Sequence, residues 1–432
     1  MLPPEYIGGR SSGVANILSV NEALERILQR FNPVSPITIP LEWALNRILA
    51  ENVIAATDLP PFTNSGMDGF AVRASDTQGA SQAQPIRLVV VMDIPAGSVP
   101  AGPLQPHQAA RIMTGAVVPD GADAVIPIED TNLDRAQTAA PLPAEVLIQR
   151  PAQPGAFLRQ RGQDLRHGQL VLSSGKRLRS QDLGLLASLG YASLQVFRQP
   201  RVALLSSGDE LISPSGRLDP GKIRDSNSYT LAALADQAGA EVFRLGVVKD
   251  DPQQILDRLE LAIDHSADLI ITSAGVSVGA FDYVRQVIEE NGEINFWRVN
   301  MRPGKPLAFG TFRGIPFIGL PGNPASAFVG FEVFIRPVLQ RLAGMPDRIR
   351  PTIKVTLEES VESDGRESYF RAVLSEKCGK ITATLAGHQG SGNLYALVKA
   401  NALLIIPSEV TTIPAGSELN AWLLDDIFSG YA

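Results

Sequence analysis

Apolar positions in the segment SVNEALERILQRF recur three and four residues apart, which puts Val20, Leu24, Ile27 and Leu28 on one face. Ser19 stands where an N-cap is needed, so the pattern predicts an amphipathic helix. Residues 1–15 show no such period and read as a loose leader. From Thr57 to Pro154 the pattern changes to short Val- and Ile-rich pieces (PIRLVVVMDI, AARIMTGAVV, ADAVIPIED) cut by Pro and Gly, which predicts a β-rich unit. Helical periodicity returns at SQDLGLLASLG. Helical stretches on both sides of the strands predict one domain interrupted by another. Residues 59–158 are therefore read as an inserted β-rich domain, and 1–58 with 159–198 as a discontinuous, interrupted helical domain.

After Gln199 the pattern becomes regular. Strands RVALLS, AEVFRLGVV, DLIITS and PFIGLPG alternate with helical stretches around SYTLAALADQAG, PQQILDRLELAIDHS, FDYVRQVIEE and PASAFVGFEVFIRPVLQRL. This alternation predicts a doubly wound parallel sheet over 199–345. Ligands of such sheets sit beyond the carboxyl ends of the strands, so the chemistry is expected in the loops SSGDEL, KDD, SAGVSVGAFD and LPGNP. Residues 346–432 return to extended pieces and predict a small C-terminal β domain. The expected class is thus α/β plus β, multidomain, and no internal repeat of solenoid period is visible.

Composition narrows the function. Of 432 residues, 44% are apolar and 19% charged, below the roughly 25% charge of ordinary proteins, as for a folded globular chain. With 38 Lys and Arg against 45 Asp and Glu, the net charge of −7 gives no overall field for gripping a polyanion, so no nucleic acid partner is expected. Apolar runs such as ALLIIP fall far short of the roughly 20 residues a membrane helix needs. No membrane association is expected. A single cysteine, Cys378, permits neither an internal disulfide nor a cysteine metal cage and fits a reducing cytoplasm.

Several loops carry candidate chemistry, each beside a plainer explanation. Gly275 and Gly279 follow a strand and precede a helix, where backbone N–H groups can approach a phosphate; a tight turn would need the same glycines. The same stretch spells the GxSxG elbow around Ser277, which raises a serine hydrolase with His388 as the only downstream histidine. Glu210, Asp225, Asp250 and Asp282 fall at strand ends and could jointly hold Mg2+, although Asp225 and Asp251 could equally cap helices. Arg298, Arg302 and Lys305 cluster within eight residues. In one extended strand Arg298 and Arg302 would share a face and invite an oxyanion. In LPGNPASAF, Asn323 falls at an N-cap and Pro324 at the first helical position, leaving N–H groups free towards the rim. Spacing alone does not connect Arg371 or Ser391 to that rim. No Walker A sequence and no HExxH pair is present.

The strings NSGMDGFAVR, RIMTGA, RGQDL, SSGDEL, KIRDSNS, VVKDDP, SAGVSVGAFDYV, MRPGKPLAFG and GLPGNPASA, in this order, resemble the MoeA family, molybdopterin molybdenumtransferases that include the E domain of gephyrin. The resemblance covers nearly the whole chain after about residue 15. It implies a homodimer of elongated four-domain subunits with the active site at a boundary between subunits. It also implies Mg2+-dependent insertion of molybdate into adenylylated molybdopterin with release of AMP, and a molybdopterin adenylyltransferase as pathway partner. Asp68 and Thr114 resemble the residues that face the neighbouring subunit's cleft. Glu210, Asp250 and Asp282 resemble the catalytic, cation-associated acids. Ser277, Arg298, Arg302, Lys305, Asn323, Arg371 and Ser391 resemble positions that hold substrate, and Pro321 with Pro324 matches the PGNP turn. Two departures stand out: Ala274 where a second glycine is usual, and arginine rather than lysine at 298 and 302, a planar fork in place of a point charge. The rival readings are the Ser277 hydrolase and a binding or scaffold role without turnover.

Overall fold

The computed structural model describes residues 17–134, 141–273, 281–346, 350–377 and 379–424, with backbone alone at 281, 282, 296 and 297. Two compact units emerge. Of the described residues, one unit takes those up to Ala50, Gly175–Arg179 and those from Leu194 on; the other takes those within Glu51–Ser174 and Ser180–Ser193. The unit boundaries pass through the discontinuous domain read from the sequence, whose 1–58 and 159–198 segments contribute to both units.

The larger unit is organised around a seven-stranded sheet, in the order Ile17–Leu18, Gly292–Val299, Pro306–Phe312, Ile315–Leu320, Leu269–Ser273, Arg201–Ser207, Glu241–Val248. The last four of these strands run parallel. Alternation along Arg201–Ser207 sends Val202 and Leu204 to one helix layer, with Leu231 and Ala235, and Ala203 and Leu205 to the other, with Ile255, Leu259 and Val284. That two-sided burial is why the strand reads as one apolar run.

The four expected strands are parallel, and the further strands beside them make the whole sheet mixed. Pro306–Phe312 pairs antiparallel with both Gly292–Val299 and Ile315–Leu320. Only Arg313 and Gly314, at φ of 46° and 87°, separate it from the next strand, and two left-handed residues make a hairpin turn. A parallel return needs a dozen or more residues, so this connection has no parallel option.

Ser19 caps the helix Val20–Leu28 through a reciprocal capping box with Glu22. Val20, Ala23 and Ile27 are buried with Phe334 and Leu339, so the helix packs against the α/β core. The long helical stretch after the PGNP turn is helical throughout, but Phe331–Ile335 widens to a π-turn between Pro324–Gly330 and Arg336–Leu342. Pro337 has no N–H to give the Val333 carbonyl, and the wider turn accommodates the loss.

The same unit carries a six-stranded sheet, in the order Met301–Arg302, Glu367–Lys377, Lys380–Leu385, Thr352–Leu357, Glu418–Leu423, Ala402–Ile406. In the smaller unit a five-stranded sheet runs Ala124–Pro127, Gly69–Val72, Gln108–Ile112, Ile86–Ile94, Glu145–Ile148. Phe70 and Val72 are buried on one side and Ala71 on the other, so its central strands are covered on both faces. Among the described residues no helix is long and apolar enough to cross a membrane.

Candidate active site

A cleft of about 640 Å³ opens at the carboxyl ends of the parallel strands. Ser207 and Ser273 close two of them, and Pro321, Asn323 and Pro324 follow a third. The loops SSGDEL and LPGNP thus line the cleft, as the strand-end rule predicts, joined by Asp225 and Asn227 from KIRDSN.

Glu210 reaches the cleft because Gly208 has no side chain. A Cβ there would stand 2.6 Å from a Glu210 carboxylate oxygen. Asp250 lies beside this pair: its N–H points to Asp209 Oδ1 at 3.4 Å, and its own Oδ1 is buried without a donor among the described residues. Burial, then the charges of Asp209 and Glu210, hold the Asp250 carboxyl above the usual carboxylate range. The side chain of Asp282 and all of Ser277 lie outside the described residues. Among the described residues no three His, Cys, Asp or Glu side chains converge as a metal site.

Two acids act as caps. Asp251 accepts the Gln254 N–H at 2.9 Å, and Asp225 accepts the Ser228 N–H at 3.0 Å and also its hydroxyl. Arg244, lying over the Tyr229 ring, donates to the Ser228 hydroxyl at 2.8 Å. Asp225 nevertheless lines the cleft, so capping and a site role coexist. Buried Asn227 is a residue the motifs did not single out. Its Nδ2 donates to Ser273 Oγ and to the Gly322 carbonyl, both at 2.7 Å, tying a strand end to the PGNP turn. The only signal in sequence is an amide at the start of a helix that follows an acidic loop.

The basic residues divide. Gly292–Val299 belongs to the seven-stranded sheet and Met301–Arg302 to the six-stranded one, so Arg298 and Arg302 do not share a continuous strand face. The chain changes sheets between them, where no alternation argument carries across. Arg298 is exposed, and Lys305 is half-buried, its carbonyl accepting the Val299 N–H at 2.8 Å. Arg302 lies over the Phe370 ring and 3.8 Å from Asp364.

Arg371 is fully buried. One terminal nitrogen, Nη2, donates to the carbonyls of His388 at 3.3 Å and Gly390 at 2.9 Å. Its Nε and Nη1 have no acceptor among the described residues. Burial, and secondarily the charge of Arg302, lower its pKa to about 10, so it remains a cation at neutral pH. A buried cation with two unused donors and a second cation nearby is an arrangement that an anion would complete.

The loop that holds Arg371 also borders the cleft: Gly392 and Leu394 line it. Ser391 accepts the Ala325 N–H through its carbonyl at 3.0 Å. One N–H expected to be free at the start of the PGNP helix is therefore occupied, and Asn323, though at the N-cap position, makes no side-chain capping bond. His388 accepts the Gly390 N–H on Nδ1 at 3.3 Å, whereas a triad histidine must donate from Nδ1 to an acid. That geometry opposes the hydrolase reading. In the smaller unit, Asp68 Oδ1 accepts both the N–H and the hydroxyl of Thr114 at 2.7 Å.

Three family models match the chain: MoeA N-terminal region (domain I and II) over residues 18–190, probable molybdopterin binding domain over 203–341, and MoeA C-terminal region (domain IV) over 354–424. The chain is 42% identical over 416 residues to molybdopterin molybdenumtransferase 2 of Mycobacterium tuberculosis, covering 94% of this chain and 99% of that one. It is 41% identical over 385 residues to molybdopterin molybdenumtransferase of a Nostoc species, covering 87% and 86%. A crystal structure of the molybdopterin biosynthesis MoeA protein from Pyrococcus horikoshii superposes with a TM-score of 0.80 at 33% identity, covering 95% of this chain and 100% of that one.

Proposed function

The chain belongs to the MoeA family, and from that premise we propose that it works in molybdenum cofactor biosynthesis as a molybdopterin molybdenumtransferase, inserting molybdate into adenylylated molybdopterin with release of AMP. The observation that carries this reading is Arg371, a buried guanidinium with two donors that have no acceptor among the described residues, bonded to a loop that continues into the lining of an acid-edged cleft.

Molybdate is a tetrahedral dianion. Arg371 would hold it through charge-assisted hydrogen bonds, with Arg302, Arg298 and Lys305 raising the local positive potential. The sulfur ligands of molybdenum come from the substrate's dithiolene, so the protein needs no catalytic cysteine. Asp225, Asn227, Ser273 and Ser326 would hold the polar parts of the pterin and nucleotide within the cleft.

Mg2+ prefers oxygen ligands, and the donor-less Asp250 Oδ1 beside Glu210 fits that preference. Glu210, Asp250 and Asp282 are the residues proposed to hold it. When bound, Mg2+ supplies charge neutralisation for the phosphates. Asp68 and Thr114 are proposed to complete the site across a homodimer, in the cytoplasm, with a molybdopterin adenylyltransferase supplying the substrate.

Purified protein given adenylylated molybdopterin, molybdate and Mg2+ should release AMP together with cofactor, and Arg371→Met should lose this while folding normally. Absence of AMP from wild-type protein would sink the proposal.

A further inference from the structure

Where the strand Lys380–Leu385 leaves its partner, the side chain of one residue continues the ladder. Ala372 pairs with Leu385, and the Ala386 N–H still reaches the Arg371 carbonyl at 2.9 Å. There the backbone pairing ends. The Arg371 N–H, which the next strand residue would ordinarily accept, goes instead to Gln389 Oε1 at 2.9 Å. Gln389 Nε2 returns to the Arg371 carbonyl at 3.0 Å and to the Gly387 carbonyl at 2.9 Å. One amide thus satisfies both backbone groups of Arg371 and pins the turn that follows.

The residues on either side of Gln389 are the two whose carbonyls engage the guanidinium. His388 and Gly390 take the two bonds from Nη2, which leaves the Nε and Nη1 edge unoccupied. The place of those carbonyls depends on where Gln389 fixes the loop. Half-buried Gln389 has neither charge nor a place in the cleft lining, so its bonds serve the loop.

We infer that Gln389 is a positioning residue for oxyanion binding: by clamping the 387–390 turn to the backbone of Arg371, it selects which guanidinium edge is left without a protein acceptor and so which edge would hold molybdate. The inference rests on the reading of Arg371 given above, and the test separates the two. Molybdate and tungstate, tetrahedral dianions of the same shape, are titrated into the full-length protein by calorimetry, and turnover is measured against molybdate concentration. Gln389→Met keeps the length and volume of the side chain and removes all three hydrogen bonds.

The expected result is a rise of about tenfold in both the Kd and the KM for molybdate, with kcat at saturating molybdate within about twofold of wild type and an unchanged far-ultraviolet spectrum. A purely structural role would lower the melting temperature and leave molybdate affinity alone. Unaltered Kd and KM in a folded Gln389→Met protein would overturn the inference while Arg371→Met still abolished binding. Failure of Arg371→Met to weaken binding would remove the Arg371 reading itself, and this inference with it. If Gln389→Met does not fold, Gln389→Asn, whose amide stops one methylene short of the Arg371 backbone, is judged by the same Kd and KM.

Discussion

Gly208 and Glu210 occupy each other's space. The carboxylate of Glu210 folds to where a β-carbon on Gly208 would stand, with both oxygens inside 3.0 Å of that point. Gly208 is also at a φ of 153°, which side-chain-bearing residues seldom adopt. Gly208→Ala should therefore displace Glu210 and strain the turn by roughly 1–3 kcal/mol. AMP release should fall as far as in Glu210→Gln, with a lower melting temperature that Glu210→Gln does not share. Wild-type turnover by a folded Gly208→Ala protein would show that the placement of Glu210 is immaterial.

Asp250 gives a pH dependence of defined sign. Its carboxyl sits above the usual range because burial and two neighbouring acids disfavour the ionised form. The cost to stability is absent below the unfolded Asp value near 3.9 and develops as pH rises through the raised folded value. Asp250→Asn should consequently melt higher than wild type at neutral pH without Mg2+, and that advantage should vanish on acidification. Added Mg2+ should raise wild type and leave the variant unmoved. A destabilised variant at pH 7 in metal-free buffer would contradict this account.

The opposite sign is expected at Glu332. Burial pushes its carboxyl up, but Arg336 at 2.7 and 2.8 Å and Arg350 at 2.7 Å more than offset this, and the net direction is downward. Its contribution is present above the unfolded Glu value of about 4.3 and is lost as pH falls through the depressed folded value. Glu332→Gln would leave two largely buried arginines without a counter-charge, at a cost of about 3–5 kcal/mol in urea denaturation at pH 7. The gap from wild type should close below pH ~4.

Complementation tests the proposed sharing of a site between subunits. Chains carrying Asp68→Ala and chains carrying Arg371→Met should each be inactive, yet co-refolded mixtures should recover roughly a quarter of wild-type turnover, because half the dimers then hold one intact site. A mixture as inactive as its parents would place Asp68 and Arg371 in the same subunit's site.

The parts of this architecture legible in sequence are those with a local cause. Ser19 announces a capped helix, and the alternation after Gln199 announces a two-layered sheet, because period and cap chemistry are short-range. The direction of the Pro306–Phe312 strand depends on the two-residue turn Arg313-Gly314, which no apolar period marks. Arg298 and Arg302 stand in different sheets, and nothing in their spacing marks the change. Asp225 is readable both as a cap and as an acid of the rim, and it both caps and lines the cleft. Neither the isolation of Arg371 nor the clamp formed by Gln389 could be read at all, since both depend on partners 17 to 19 residues away in a loop with no period.

The single amide of Asn227 spans the end of one strand and the turn after another. Two banks of the cavity are thereby cross-braced by one rigid planar group, and neither can recede without dragging its opposite. Such a mouth keeps a constant gauge, so a pterin nucleotide would be admitted by how well it matches a preset opening instead of by a wall that yields to it.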